Sequence, residues 1–240
     1  MPDGVRLERA DGGVAVVTID RPPVNALDPA AYAALADAFG RFAEPDGDVR
    51  ALVLTAAGER TFSAGTDTGV FGDLADYDAA IATGRRCFEA LARIAVPVVG
   101  AINAAAVGGG AMLAGECDVL LAAEGAYFAI PELSLGIPGG GSHVRRLAPY
   151  FKVQRMMLLN ERLTAQEALR HGTLQRVVPR GELLGAALEV ARTLAQVDPR
   201  AMRAARTIFR TPDSEAALAG YHAELDAGSA LVHERFGGRV

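Results

Sequence analysis

Two apolar runs bracketing three consecutive glycines set the strongest constraint on this fold. Pro97-Val98-Val99-Gly100-Ala101-Ile102-Asn103 has the length and flanks of a buried strand, and Cys117 to Ala122 reads as a second one. Between them stand Gly108-Gly109-Gly110 and a short helix-like segment, Ala111 to Glu116. A strand, a glycine turn and a helix start in this order bring unpaired backbone N–H groups and a positive partial charge to one point. That arrangement suits a negatively charged oxygen. Farther on, Ile130-Pro131-Glu132 puts a carboxylate among apolar neighbours, ahead of a second glycine cluster at Gly139-Gly140-Gly141.

The remaining segments extend the pattern in both directions. Val5 to Arg9 and Val14 to Asp20 flank the turn Asp11-Gly12-Gly13 and read as a hairpin. Arg21 to Leu27 carries two prolines and reads as a loop. Asp28 caps a helix with Pro29 at its first position, expected to end near Pro45. Val49 to Thr55 is a further buried strand, followed by a polar loop to Thr61, then Phe62 to Asp67. Tyr77 to Ile94 is amphipathic, with Ile81, Phe88, Leu91 and Ile94 facing inward. Strand, helix, strand, helix, strand predicts crossover connections and a largely parallel sheet. Val153 to Leu159 and Ala165 to Arg170 read as helices and Gln175 to Val178 as a last strand. Three helical patterns follow from Gly181, broken at Pro199 and Pro212. The shift in pattern near Arg180 divides a core, 1–180, from a helical segment, 181–240.

With 240 residues, half of them hydrophobic, the chain can bury a sizeable core. A net charge of −5 and the lack of any basic run argue against nucleic acid or an acidic membrane surface as partner. No secretory signal or bilayer-length apolar stretch is visible, so a cytoplasmic location is expected. Cys87 and Cys117 both fall in apolar segments and read as buried thiols. No metal-ligand spacing is present, and no metal or separate cofactor is expected.

Six segments together resemble the crotonase (enoyl-CoA hydratase/isomerase) family. They are Asn25-Ala26-Leu27, Val49 to Thr55, Phe62-Ser63-Ala64-Gly65-Thr66-Asp67, Ile102-Asn103 with Gly108 to Gly110, Cys117-Asp118, and Pro131-Glu132 with Leu135-Gly136. They stand in the family's order and at its spacing. The resemblance implies an α/β fold, a spiral of ββα units followed by a helical oligomerisation segment, and an acyl-CoA substrate whose coenzyme A is part of the substrate. It implies that Thr66 N–H and Gly109 N–H hold the thioester oxygen as it becomes an enolate, with Glu132 as general acid/base. Val24, Ala26, Ala64, Thr66, Asp67, Gly108, Gly109 and Met112 are implied to contact substrate or coenzyme A. The helical tail is implied to pack between subunits in a trimer or dimer of trimers, a role that its apolar Leu183, Leu184, Leu188, Leu194, Ile208 and Phe209 suit.

One departure bears on the reaction. Hydratases of that family carry a second glutamate three residues after the middle glycine, where this chain has Met112. Methionine neither holds water strongly nor shuttles a proton. A single carboxylate points to double-bond isomerisation, with hydration, other lyase or hydrolase chemistry, and a catalytically silent acyl-CoA-binding protein as alternatives. Glu116 is expected to cap its helix or form an ion pair and His143 to sit at the surface or a helix start. Asp67 is expected to bond local backbone.

Overall fold

The computed structural model describes residues 4–44, 48–70 and 73–237. The chain opens with the expected hairpin, β1 (Val5–Ala10) and β2 (Val14–Ile19), paired antiparallel with Ala10 opposite Val14. It continues through β3 (Ala26–Leu27), α1 (Pro29–Gly40), β4 (Ala51–Ala56), β5 (Thr61–Ser63), β6 (Gly65–Thr66) and α2 (Leu74–Ala92). Next come β7 (Val98–Ile102), β8 (Ala105–Val107), α3 (Gly109–Gly115), β9 (Val119–Ala123) and β10 (Tyr127–Ala129). A 3₁₀ turn at Glu132–Leu135 leads to α4 (Gly141–Val144), α5 (Tyr150–Leu158), β11 (Leu163–Thr164), α6 (Ala165–Arg170) and β12 (Arg176–Val178). Three helices follow: α7 (Arg180–Ala195), α8 (Pro199–Phe209) and α9 (Thr211–Gly237).

The strands divide between two main sheets. One runs β1-β2-β4-β7-β9-β12 and is parallel apart from the opening hairpin. The other runs β11-β10-β8-β5, with β5, β8 and β10 parallel. Each repeat sends its first strand to the large sheet and its second to the small one before a helix returns, as in β4-β5-α2 and β7-β8-α3. This is the spiral of ββα units that the resemblance implies. A single sheet with loops between strand and helix was too simple. Thr61–Ser63 and Ala105–Val107 are strands, and Ala26–Leu27, at the end of the expected proline loop, pairs with Gly65–Thr66.

Side-chain alternation explains why both faces of the large sheet are covered. Ala15, Val17, Leu52 and Leu54 face the main core with α1 and α2, whereas Val14, Val16, Ala51 and Val53 face α7. α7 buries Leu183, Ala187, Val190, Ala191 and Ala195, a stripe at helical spacing. The first helix beyond Arg180 is thus built into the core. α8 buries no side chain and leaves Ile208 and Phe209 exposed.

Side-chain caps start α1, α2, α6 and α8. Asp28 accepts from Ala31 N at 2.8 Å, with Pro29 in the first turn. Asp73 accepts from Asp76 N at 3.0 Å, which starts α2 a turn earlier than the apolar pattern indicates. Pro199 and Pro212 fall in the first turns of α8 and α9, where a missing N–H costs nothing. Pro45 lies outside the described residues, and α1 ends at Gly40. Among the described residues no helix is long and apolar enough to cross a membrane.

Candidate active site

The two backbone segments singled out in the sequence meet. Gly65 has φ +83°, and a Cβ placed on it would lie 2.9 Å from both Gly109 N and Val107 O. Only a glycine lets the main chain of β6 lie so close to the start of α3. Gly109 is the first residue of α3, so its N–H has no acceptor within the helix. The neighbouring donors are committed elsewhere: Ala64 N–H to Val24 O, Gly65 N–H to Ser63 Oγ, Asp67 N–H to Leu27 O and Gly108 N–H to Ala129 O. Asn25 fixes the outer loop against β5, donating from Nδ2 to the carbonyls of Ala57 and Thr61 at 2.9 and 3.0 Å. Ser63 Oγ donates to Asn25 O at 2.8 Å. The Asn-Ala-Leu motif is therefore a brace for the Gly65 turn.

Glu132 lies across from these glycines. A Cβ on Gly108 would be 2.4 Å from Glu132 Oε1, and one on Gly140 would be 3.8 Å from its carboxyl carbon. Burial pushes the Glu132 pKa up to about 7, with the Glu224 carboxylate adding to the rise and a backbone hydrogen bond opposing it. Its Oε2 is buried and has no hydrogen-bond partner among the described residues. Met112 is also buried, its sulfur 3.6 Å from where a Gly140 Cβ would lie. An apolar side chain therefore stands where a second carboxylate could have been.

Ala64, Thr66, Gly108, Gly109, Met112 and Glu132 all line one cavity of about 120 Å³. Val24, Ala26 and Asp67 do not. They line a separate recess of about 500 Å³ with Asp20 and Arg21. Asp67 Oδ1 accepts from Gly69 N at 3.0 Å, the local turn bond expected of it.

The cavity also contains residues that the sequence did not single out for the site. Tyr32 Oη is 2.9 Å from Thr66 Oγ1, and burial drives its pKa far up, so it stays a neutral phenol. Tyr221 and Leu225 of α9 form another wall. Between them on the helix, Glu224 holds the second glycine cluster, accepting from Gly140 N at 3.0 Å and from Ser142 N and Oγ at 2.9 and 2.8 Å. The cavity's other titratable groups, Tyr32, Tyr77 and Tyr221, are all raised by burial and uncharged near neutrality. The Glu224 charge is then the one that acts on Glu132 from outside. Glu224→Gln removes a like charge, so the Glu132 pKa should fall. The acid limb of the kcat/KM–pH profile should move to lower pH, and an unmoved limb would rule this coupling out.

Glu116 and His143 lie outside the cavity. Glu116 is fully buried and accepts from His143 Nδ1 at 2.9 Å and Arg210 at 3.1 Å, with Arg146 at 3.9 Å. Burial would raise its pKa, but the His143 bond and the two guanidinium groups outweigh that and hold it low. The expected ion pair is therefore present. His143 does sit in a short helix at its start, yet it is buried and not at the surface. It stacks on Phe88 at 4.7 Å and meets Tyr221 edge-on at 4.8 Å. Asp118 binds Arg206 and Arg210 and accepts from Val98 N, which accounts for the Cys117-Asp118 motif. Cys117 is a buried thiol pushed up to about 12, unsuited to nucleophilic attack.

A spiral of ββα units whose Gly65 turn lies against the start of α3, with one carboxyl set beside that junction, defines a class of proteins that work on acyl thioesters. The chain belongs to the enoyl-CoA hydratase/isomerase family, whose sequence profile matches residues 9–236. It is 38% identical over 215 residues to a Mycobacterium tuberculosis H37Rv protein named (7aS)-7a-methyl-1,5-dioxo-2,3,5,6,7,7a-hexahydro-1H-indene-carboxyl-CoA hydrolase, covering 88% of this chain and 86% of that one. It is 37% identical to a carnitinyl-CoA dehydratase of Salmonella arizonae, covering 92% and 85%. Among solved structures, an enoyl-CoA hydratase/isomerase from Mycobacterium paratuberculosis superposes with a TM-score of 0.86 at 29% identity, covering 96% and 94%.

Proposed function

We propose that this enzyme moves the double bond of an enoyl-CoA from the 3- to the 2-position, using Glu132 alone as base and acid. The observation that carries the reading is the Glu132 carboxyl, poised at a pKa of about 7 beside Gly108, in a cavity that it shares with apolar Met112 and with no other carboxylate among the described residues. The carboxylate takes a proton from C2, and the electron pair moves onto the thioester oxygen. Thr66 N–H and Gly109 N–H stabilise that oxyanion. The protonated carboxyl then gives its proton to C4, the electrons return, and the C2–C3 double bond forms. A carboxyl with a pKa near the working pH serves both half-steps.

Absorbance of the conjugated thioester tests the reading directly. A 3-enoyl-CoA should gain it quickly, and crotonyl-CoA should lose it slowly if at all. Hydration faster than isomerisation on the same acyl chain would overturn the assignment. The similarity to a protein named carnitinyl-CoA dehydratase favours a second reading, loss of a 3-hydroxyl after the same proton removal at C2. A 3-hydroxyacyl-CoA is therefore the comparison substrate.

The exposed apolar residues of the helical tail, Ile208 and Phe209 at 66% and 80%, support a homo-oligomer, a trimer or a dimer of trimers. Light scattering at micromolar concentration should return a mass well above 25.0 kDa, and a monomer would refute it.

A further inference from the structure

The Glu132 cavity carries hydroxyl groups that proton transfer at Glu132 does not use. Tyr32 comes from α1, Thr66 from β6 and Tyr221 from α9, and all three line the cavity. The two tyrosines are 3% and 5% exposed. Tyr32 Oη lies 2.5 Å from where a Gly109 Cβ would stand, so it reaches the end of the cavity at which β6 meets α3. Much of the remaining lining is apolar, with Ala80, Ile81, Met112, Ile137 and Leu225.

The hydroxyl protons outnumber their acceptors. Tyr32 and Thr66 share one hydrogen bond of 2.9 Å, which uses one of their two protons, whichever group donates it. The other proton has no acceptor among the described residues, and the Tyr221 hydroxyl makes no hydrogen bond among them. Burial keeps both phenols protonated, so both remain able to donate.

Gly84 keeps the space between the phenols open. It lies inside α2, where alanine would be the more stable residue, and its backbone is not in the left-handed region that favours glycine. A Cβ there would be 3.5 Å from Tyr221 Oη and 3.9 Å from Tyr32 Cζ, which are ordinary contact distances. Neither backbone nor clash demands a glycine. Its effect is a methyl-sized gap between the two phenols, on the wall of the cavity.

An acyl group that enters must strip water from these hydroxyls. A wholly hydrocarbon group would leave their protons buried and unpaired, whereas an oxygen set between the phenols would accept them. Sites built in this way discriminate strongly against an analogue that lacks the oxygen. We propose that the Tyr32–Thr66 pair and Tyr221 donate hydrogen bonds to a second oxygen on the acyl group, a carbonyl or hydroxyl separate from the thioester, so that the substrate is an oxygenated acyl-CoA. This rests on the Glu132 cavity holding the acyl group, as under the proposed function, but not on the reaction chosen there. The phenols set specificity and take no part in moving the proton.

The test is the affinity of acyl-CoAs matched in length and lacking a double bond to move, measured by titration calorimetry on the full chain. Pentanoyl-CoA is compared with 4-oxopentanoyl-CoA, and hexanoyl-CoA with 5-oxohexanoyl- and 5-hydroxyhexanoyl-CoA. In at least one comparison the oxygenated ligand should bind about tenfold tighter or more. Tyr221→Phe keeps the ring against Phe88 and His143 and removes only the hydroxyl, so that ratio should fall toward one while the saturated ligand binds no more weakly. Tyr32→Phe should also lower it, and keeps the test decisive if the first variant fails to fold. Wild-type ratios near one throughout overturn the proposal, and isomerisation of a 3-enoyl-CoA by the same protein would leave the reaction assignment standing. A wild-type preference that both variants retain places the oxygen elsewhere and overturns it too. A preference that the variants abolish, with no turnover of any 3-enoyl-CoA, would support this proposal and sink the reaction assignment alone.

Discussion

Glu132→Gln is expected to lower turnover of an enoyl-CoA by about 10³-fold or more, while acyl-CoA affinity changes little. General acid–base groups contribute roughly 10²–10⁴ in rate, and no second carboxylate lines the cavity to substitute. Affinity is spared because the expected contacts to the thioester are backbone N–H groups, and glutamine has the same shape as glutamate. The same substitution should stabilise the fold at neutral pH and above. The carboxyl's pKa is about 7 in the native state against 4.5 for a free glutamate, so between those values the native chain holds one proton more than the unfolded one. Native stability therefore falls as pH rises through that window, by at most ~3 kcal/mol. Glutamine removes the penalty. Thermal unfolding of the two proteins should coincide near pH 4 and separate by pH 8 with the variant more stable. Full activity in Glu132→Gln, or a variant less stable at pH 8, would contradict the site as described.

The second large effect is expected at a residue with no side chain. Gly65→Ala must place a methyl group 2.9 Å from Gly109 N and Val107 O while holding φ at +83°. An L-residue there costs roughly 1–2 kcal/mol before any contact is counted. The contact is with backbone on both sides, so β6 must move away from α3. That shift would break the proposed pairing of Thr66 N–H and Gly109 N–H on one oxygen, a loss of about 10²–10³ in kcat for one donor. Thr66→Ala is the control, since it removes only the hydroxyl bonded to Tyr32 and keeps the N–H. Its kcat should stay within a few-fold of wild type. Equal losses in the two variants would show that the side chain matters, not the backbone donor.

Much of this site was legible because its parts announce themselves locally. Glycines at Gly65 and Gly108 answer to close backbone approaches, and Glu132 sits among apolar neighbours in the sequence as it does in space. The long strands β2, β4, β7 and β9 were legible for the same reason, as continuous apolar runs. The small sheet and the separate β3–β6 pair were not, because β3, β5, β6, β8, β10 and β11 are two or three residues each, too short to show any period. Tyr32 belongs to α1, and nothing in its own segment points to Thr66. The α9 wall was hidden for a different reason: Tyr221, Glu224 and Leu225 reach the site through packing distant in sequence. The burial of His143 was not legible because its partners, Phe88 and Tyr221, come from elements on either side of it in the chain.

The wall that α9 provides also sets when the site exists. Without α9 docked, the cavity lacks Tyr221, Leu225 and the Glu224 bonds to the Gly140 loop. Competence to bind therefore hangs on one helix held by Arg210, Ser214 and Glu224. Ligand that favours the docked helix should in turn hold it there, because anything bound only to the closed form deepens that form's stability. Amide exchange along α9 would then slow on adding acyl-CoA more than exchange in the large sheet does, making this helix the part of the molecule that reports occupancy.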